Sequence, residues 1–177
     1  MSLSFPARFM LAAAMNPCPC GYFNDKRREC MCTPPMIQRY VSKVSGPLLD
    51  RIDLHIEVPS IEYRDMASQR SEEPSSAIRE RVSAARNRQQ ARFANDSKTN
   101  CNARMGTKHL KQWCKLDSDS QELIRVAMTE LNLSARAYDR ILKVARTIAD
   151  LADSESIQAD HVGEAIQYRT LDRNLWT

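Results

Sequence analysis

From Ala7 to Met15 apolar residues fall on both faces of an extended chain, the pattern of a strand buried mid-sheet, and the run ends at the breaker pair Asn16-Pro17. A cysteine-bearing loop follows. Pro34-Pro35 then opens a helical pattern of Met36, Ile37, Tyr40, Val41 and Val44. Gly46-Pro47 is expected to close it as a C-cap glycine and following proline, which gives one helix over 34–46. From Ile52 to Pro59 apolar and polar residues alternate, predicting a strand with one buried face and His55 turned outward.

Residues 60–75 change character: Ser60, Ser68, Ser71, Glu72, Glu73, Pro74 and Ser75 predict a linker. Beyond it the period is helical. Ile78, Val82, Ala85 and Phe93 mark one helix, and Ser118 with Gln121 forms a capping box for a second that carries Leu123, Ile124, Val126, Ala127 and Leu131. Ser134 caps a third, with Tyr138, Ile141, Leu142, Ala145, Ile148 and Ala149 along one side, and a fourth starts near Ala159. The polar stretch 95–104 carries no periodicity that assigns it an element.

Two strands and one helix do not close a sheet by themselves. The expected fold class is therefore an α/β remnant over 1–59, carrying a cysteine-rich insert, then the linker 60–75 and an all-α helical bundle over 76–177. The patterned sequence starts at Phe5 without a lead-in and reads as the C-terminal piece of a longer protein.

Composition narrows the function. The 177 residues carry a formal charge of +4, and the apolar run Phe9–Met15 is far shorter than the roughly 20 residues that span a bilayer. A cytoplasmic protein with no membrane partner is expected. Four glycines, Gly21, Gly46, Gly106 and Gly163, are too few and too far apart for a phosphate-cradling loop, which needs closely spaced glycines so that backbone amides can reach phosphate oxygens.

Cys18, Cys20, Cys30 and Cys32 place four thiols within fifteen positions. That density suits a tetrahedral Zn2+ site with a polar tip over 24–28, although the spacing is C-x-C where C-x-x-C is commoner; free thiols and a disulfide pair are the alternatives. Cys101 and Cys114 lie apart and read as ordinary thiols.

Three separated segments carry a resemblance. They are Ala14-Met15-Asn16-Pro17, Ser45-Gly46-Pro47-Leu48-Leu49-Asp50-Arg51-Ile52-Asp53, and Leu133-Ser134-Ala135-Arg136-Ala137-Tyr138-Asp139-Arg140-Ile141-Leu142. In this order they resemble the AAA+ magnesium-chelatase-like family, and the cysteine insert is similar to that of its ComM-like branch.

The resemblance implies roles. Asn16 matches sensor 1, whose amide orients the attacking water; Arg51 matches the arginine finger given to a neighbouring subunit; Arg136 matches sensor 2, with Arg140 one turn on as the competing candidate. It also implies that Walker A and Walker B lie upstream, so that this chain alone is inactive. ATP and Mg2+ would bind the intact parent, a hexameric ring of identical subunits working on branched DNA in recombination.

Basic residues supply a separate hint of DNA. Residues 77–104 hold seven basic side chains against two acidic ones, and Arg81, Arg88 and Arg92 share one helical face that could neutralise phosphates. A solvated face or a subunit contact fits the same stripe. His55, His109 and His161 have no catalytic partner at a telling spacing, and Trp113 and Trp176 read as packing anchors. Two other functions stay open: a chelatase-type metal-insertion or protein-remodelling ATPase, and a zinc-containing nucleic-acid or protein binding module.

Overall fold

The computed structural model describes residues 3, 9–25, 27–59 and 73–169. The chain divides into two units, Met1–Val44 and Ser45–Thr177, so residues 45–59 group with the helical part.

In the first unit a cysteine loop leads into α1, Pro34–Val41. Proline in the first turn suits a helix start, because its φ is already helical and its missing N–H would have had no partner there. The helix ends earlier than its pattern predicts. Ser42 is the C-cap, donating its N–H to Gln38 O at 2.9 Å.

Gly46-Pro47, expected as a stop, is a start: it opens the short α2, Gly46–Leu49, at the head of the second unit. Pro47 lies in the first turn, where the geometry that bars proline from helix interiors is tolerated.

Neither expected strand forms among the described residues. Phe9 and Met10 are 78% and 92% exposed, and residues 9–15 pair with no other described segment. A two-sided apolar run is a strand only when neighbours satisfy its backbone groups, and no described segment does so. Over 52–58 the expected faces are reversed: Leu54, Ile56 and Val58 are exposed, whereas His55 is buried and donates its backbone N–H to Tyr168 O at 2.9 Å. Docking of this segment on the end of the bundle decides its orientation. The start of the first expected strand, residues 7–8, and most of the linker, 60–72, lie outside the described residues.

The helical bundle is built from α3 (Ser75–Arg92), a 3-10 turn (Asn102–Arg104), α4 (Thr107–Trp113), α5 (Ser118–Glu130), α6 (Ala135–Leu151) and α7 (Ala159–Gln167). Ser75, placed in the linker by composition, is the first residue of α3. α6 is the hub and packs on α3, the 3-10 turn, α4 and α7, while α5 packs on α7. Along α6, Ala137, Ile141, Ala145 and Ala149 recur every four residues and are fully buried. Three of these four are alanine, which lets neighbouring helices approach its ridge closely. Leu142, Ile124, Ile157, Val162 and Phe93 are among the other residues of the core.

Caps agree with the sequence at one end and not at the other. Ser134 Oγ accepts from Ala137 N at 3.2 Å and caps α6 as expected. At α5 the N-cap is Asp117, whose Oδ1 accepts from Ser120 N at 2.8 Å. A carboxylate also favours the positive helix end, and Ser118 becomes the first helical residue. His161 is a capping residue too: its Nδ1 accepts from Gln158 N at 3.0 Å.

One buried polar network locks α3 to α6. Asp150 accepts from Arg92 Nη1 at 2.7 Å and Nη2 at 2.5 Å and from Asn102 Nδ2 at 2.8 Å, and it pairs with Arg146 at 3.1 Å. Arg146 in turn donates to the Glu155 and Ser154 carbonyls. Burial pushes the Asp150 carboxyl up, but the bonds from Arg92 and Asn102 and the Arg146 charge outweigh it and hold its pKa below the ordinary value.

Candidate functional site

The cysteine loop is shaped by its backbone. Gly21 donates its N–H to Cys18 O at 3.1 Å with φ at +84°, a turn that a side chain would strain. The turn points Cys18 and Cys20 the same way. Asp25 Oδ1 accepts from Arg27 N and Arg28 N at 2.7 and 3.0 Å and reverses the chain, bringing Cys30 and Cys32 back.

The four sulfurs converge. Cys18 Sγ lies 3.3 Å from Cys20 Sγ and 3.7 Å from Cys30 Sγ, Cys20 and Cys30 are 3.6 Å apart, and all four sulfurs fall within 4.8 Å of one another. A tetrahedral site with metal–sulfur bonds of about 2.3 Å has sulfur–sulfur edges of about 3.8 Å, so this cluster could hold a metal. All six cysteines of the chain are free thiols in the structure, with no disulfide. Within the cluster, a backbone bond from Tyr22 and the Cys18 thiol lower the Cys20 pKa to about 6. At Cys30 a backbone bond from Cys32 works downward, yet burial and the adjoining thiols hold it up to about 12. Asn16 is exposed at the base of this loop, its side-chain amide beside Gly21.

The second unit holds the arginines. Arg51 follows α2 and is exposed, with Nη1 donating to Pro47 O at 2.6 Å across one turn. The backbone on either side of it is fastened to the bundle. Arg140 Nε donates to Asp50 O at 2.8 Å, and its Nη1 bonds Asp53 Oδ1. Ser134 Oγ donates to Asp50 Oδ1 at 3.4 Å, and the buried Arg169 Nη1 donates to Ile52 O. Two arginines, Arg140 of α6 and Arg169 just after α7, thus grip residues 50–53.

Arg136, in the first turn of α6, is exposed. The two candidates for one role therefore differ in placement: Arg136 is presented outward, and Arg140 is committed to the segment that bears Arg51.

The basic face of α3 is largely engaged. Arg81 forms a two-pronged pair with Glu73 at 2.8 and 3.1 Å, Arg88 pairs with Asp153, and Arg92 is bound to the buried Asp150. Sequence reading missed Asp150, Arg146, Asn102, Arg169 and the buried His55. A carboxylate at the hydrophobic edge of α6, four residues after Arg146, is the one signal in the sequence that points to part of this set.

Residues 72–169 match the family described as magnesium chelatase, subunit ChlI C-terminal, and residues 1–66 match magnesium chelatase, subunit ChlI. The chain belongs to this magnesium chelatase ChlI family. It is 40% identical over 177 residues to YifB of Escherichia coli and 40% identical over 174 residues to the competence protein ComM of Haemophilus influenzae. Each match covers 98% of this chain and 33% of the relative, so the chain spans about a third of the length of these curated relatives. No helix of the described residues is long and apolar enough to cross a membrane.

Proposed function

We propose that this chain is the C-terminal portion of an AAA+ ATPase that assembles as a hexameric ring and works on DNA in recombination or natural transformation, as a branch-migration type of motor. In this reading residues 1–59 end the α/β core, 60–75 link, and 76–177 form the lid. Asn16 serves as sensor 1, Arg51 as the finger given to a neighbouring subunit, and Arg136 as sensor 2. ATP with Mg2+ supplies the phosphoryl group that the intact ring transfers to water.

The observation that carries this reading is the grip of Arg140, Ser134 and Arg169 on residues 50–53. It supports a finger whose position follows the lid, because both arginines that hold the segment belong to lid elements. An exposed guanidinium beside a fixed backbone is suited to spreading positive charge over a phosphate presented by another subunit. Asn16, a neutral amide, is suited to orienting a water. Zn2+ at Cys18, Cys20, Cys30 and Cys32 has a structural role here, closing the insert that separates Asn16 from α1.

The relative ComM is named a competence protein, and competence being the uptake of DNA, this supports DNA over the alternative of a chelatase-type or protein-remodelling ATPase. ATP hydrolysis by the intact parent, measured without DNA, with single strands and with a branched junction, tests the choice. Stimulation by DNA is expected; turnover indifferent to all three would move the function to metal insertion or protein remodelling.

A further inference from the structure

The stretch from Lys98 to Lys115 holds five basic residues, Lys98, Arg104, Lys108, Lys111 and Lys115, and no acidic one. It wraps from the end of α3 through α4. Two cavities adjoin there, of about 540 and 380 Å³, and Trp113 lines both. Lys98 and Lys108 line the first and Lys115 the second, and all three are exposed. Trp113 is half-buried, its inner edge against the core and Arg92 over its ring at 5.8 Å from the centroid. Arg92 is itself fixed by Asp150, so the indole is held in place by a side chain that is not free to leave.

Two carboxylates lie nearby, Asp96 and Glu155. Asp96, in the first cavity, accepts from Lys98 N at 2.8 Å and Thr99 N at 3.2 Å and pairs with His109 at 3.1 Å. Glu155 lines the second cavity. Lys98, Lys108 and Lys115 form no ion pair among the described residues, in contrast to the engaged Arg81, Arg88 and Arg92 on α3.

We infer that this face, with Trp113 as a stacking wall and Lys98, Lys108 and Lys115 as phosphate contacts, binds single-stranded nucleic acid. The inference rests on the DNA reading above and centres the contact on α4 and the loop before it, where Arg88 and Arg92 of α3 line the same cavities but are held by Asp153 and Asp150. A fixed aromatic flanked by unpaired lysines matches the two needs of an unstacked strand, a surface for base faces and positive charge along the backbone. A duplex keeps its bases stacked internally and would use only the lysines.

The test uses the 177-residue chain with Trp176→Phe, so that Trp113 is the sole fluorescent indole, titrated with a short deoxythymidine oligomer over a salt series. Binding with quenching of Trp113 is expected. Lys98→Ala/Lys108→Ala, at two exposed positions, is expected to leave the helical spectrum unchanged, weaken affinity about tenfold and lower the salt slope by about 1.4. Arg79→Ala/Arg86→Ala on α3 is expected to change affinity less than about twofold, because neither lines the cavities.

No binding, binding without quenching, or equal weakening by the α3 pair would overturn the site. Concentration-dependent self-association abolished by Lys98→Ala/Lys108→Ala would also overturn it, making this face a contact between copies. In the intact parent, DNA-stimulated turnover retained by that variant would overturn the site and leave the motor reading standing. Absence of stimulation in the unaltered parent, with oligomer binding by the chain intact, would sink the motor and keep the site.

Discussion

Arg140 Nε donates to the carbonyl of Asp50 at 2.8 Å while its guanidinium bonds the Asp53 carboxylate, so a residue of α6 holds both sides of Arg51. The two contacts span 87 and 90 positions of sequence. These contacts tie residues 50–53 to α6.

Replacing Arg140 by Ala should therefore loosen this segment without unfolding the bundle. Hydrogen bonds to charged groups contribute about 1.5–3 kcal/mol, so amide exchange at residues 51–55 should rise about tenfold or more while that of α6 and α7 is unchanged. Arg140→Lys should rescue poorly, since one ammonium cannot reproduce a fork that reaches a carbonyl and a carboxylate together. Unchanged exchange in Arg140→Ala would show that the contact positions nothing.

Asp150 anchors the bundle. Removing its carboxylate leaves Arg92 and Arg146 facing each other in a buried site, a loss of about 3–5 kcal/mol. Asp150→Ala should lower the denaturation midpoint strongly. The pH dependence follows from its depressed pKa: its contribution is complete above the unfolded carboxyl pKa of about 3.9 and is lost as pH falls from there through the lower folded value. Acid titration of stability in the two proteins should converge below that range, and parallel curves would contradict the role.

The cysteine cluster should bring about one equivalent of zinc through purification without added metal. Cys20→Ser/Cys30→Ser should abolish it. Metal analysis of both proteins decides the point: well under half an equivalent in the unaltered chain would leave four reduced thiols with no structural cation.

Much of the helical bundle is legible in its sequence, and the reasons are local. The 3.6-residue pattern locates α5, α6 and α7, and Ser134 announces the start of α6, because amphipathic stripes and caps are written within a few residues of where they act. The convergence of the four cysteines is legible for the same reason, four thiols within fifteen positions.

What fails to show is what depends on distant partners. The alternation at 52–58 predicts a buried apolar face, yet without a ladder the segment follows its contacts with Arg169 and Tyr168, and His55 turns inward. Asp150 meets Arg92 across 58 positions, which no window of periodicity spans. α4 has too few apolar residues to announce itself, with Leu110 alone fully buried among its seven.

The most direct measurement is ATP turnover by the intact parent carrying Arg51→Ala, with nucleotide binding and ring assembly monitored alongside. A finger that stabilises transition-state charge in a neighbouring subunit predicts a fall of about 10³-fold or more with binding and assembly preserved. Turnover within about twofold of the unaltered ring would contradict the assignment of Arg51 and with it the role given to the grip on residues 50–53.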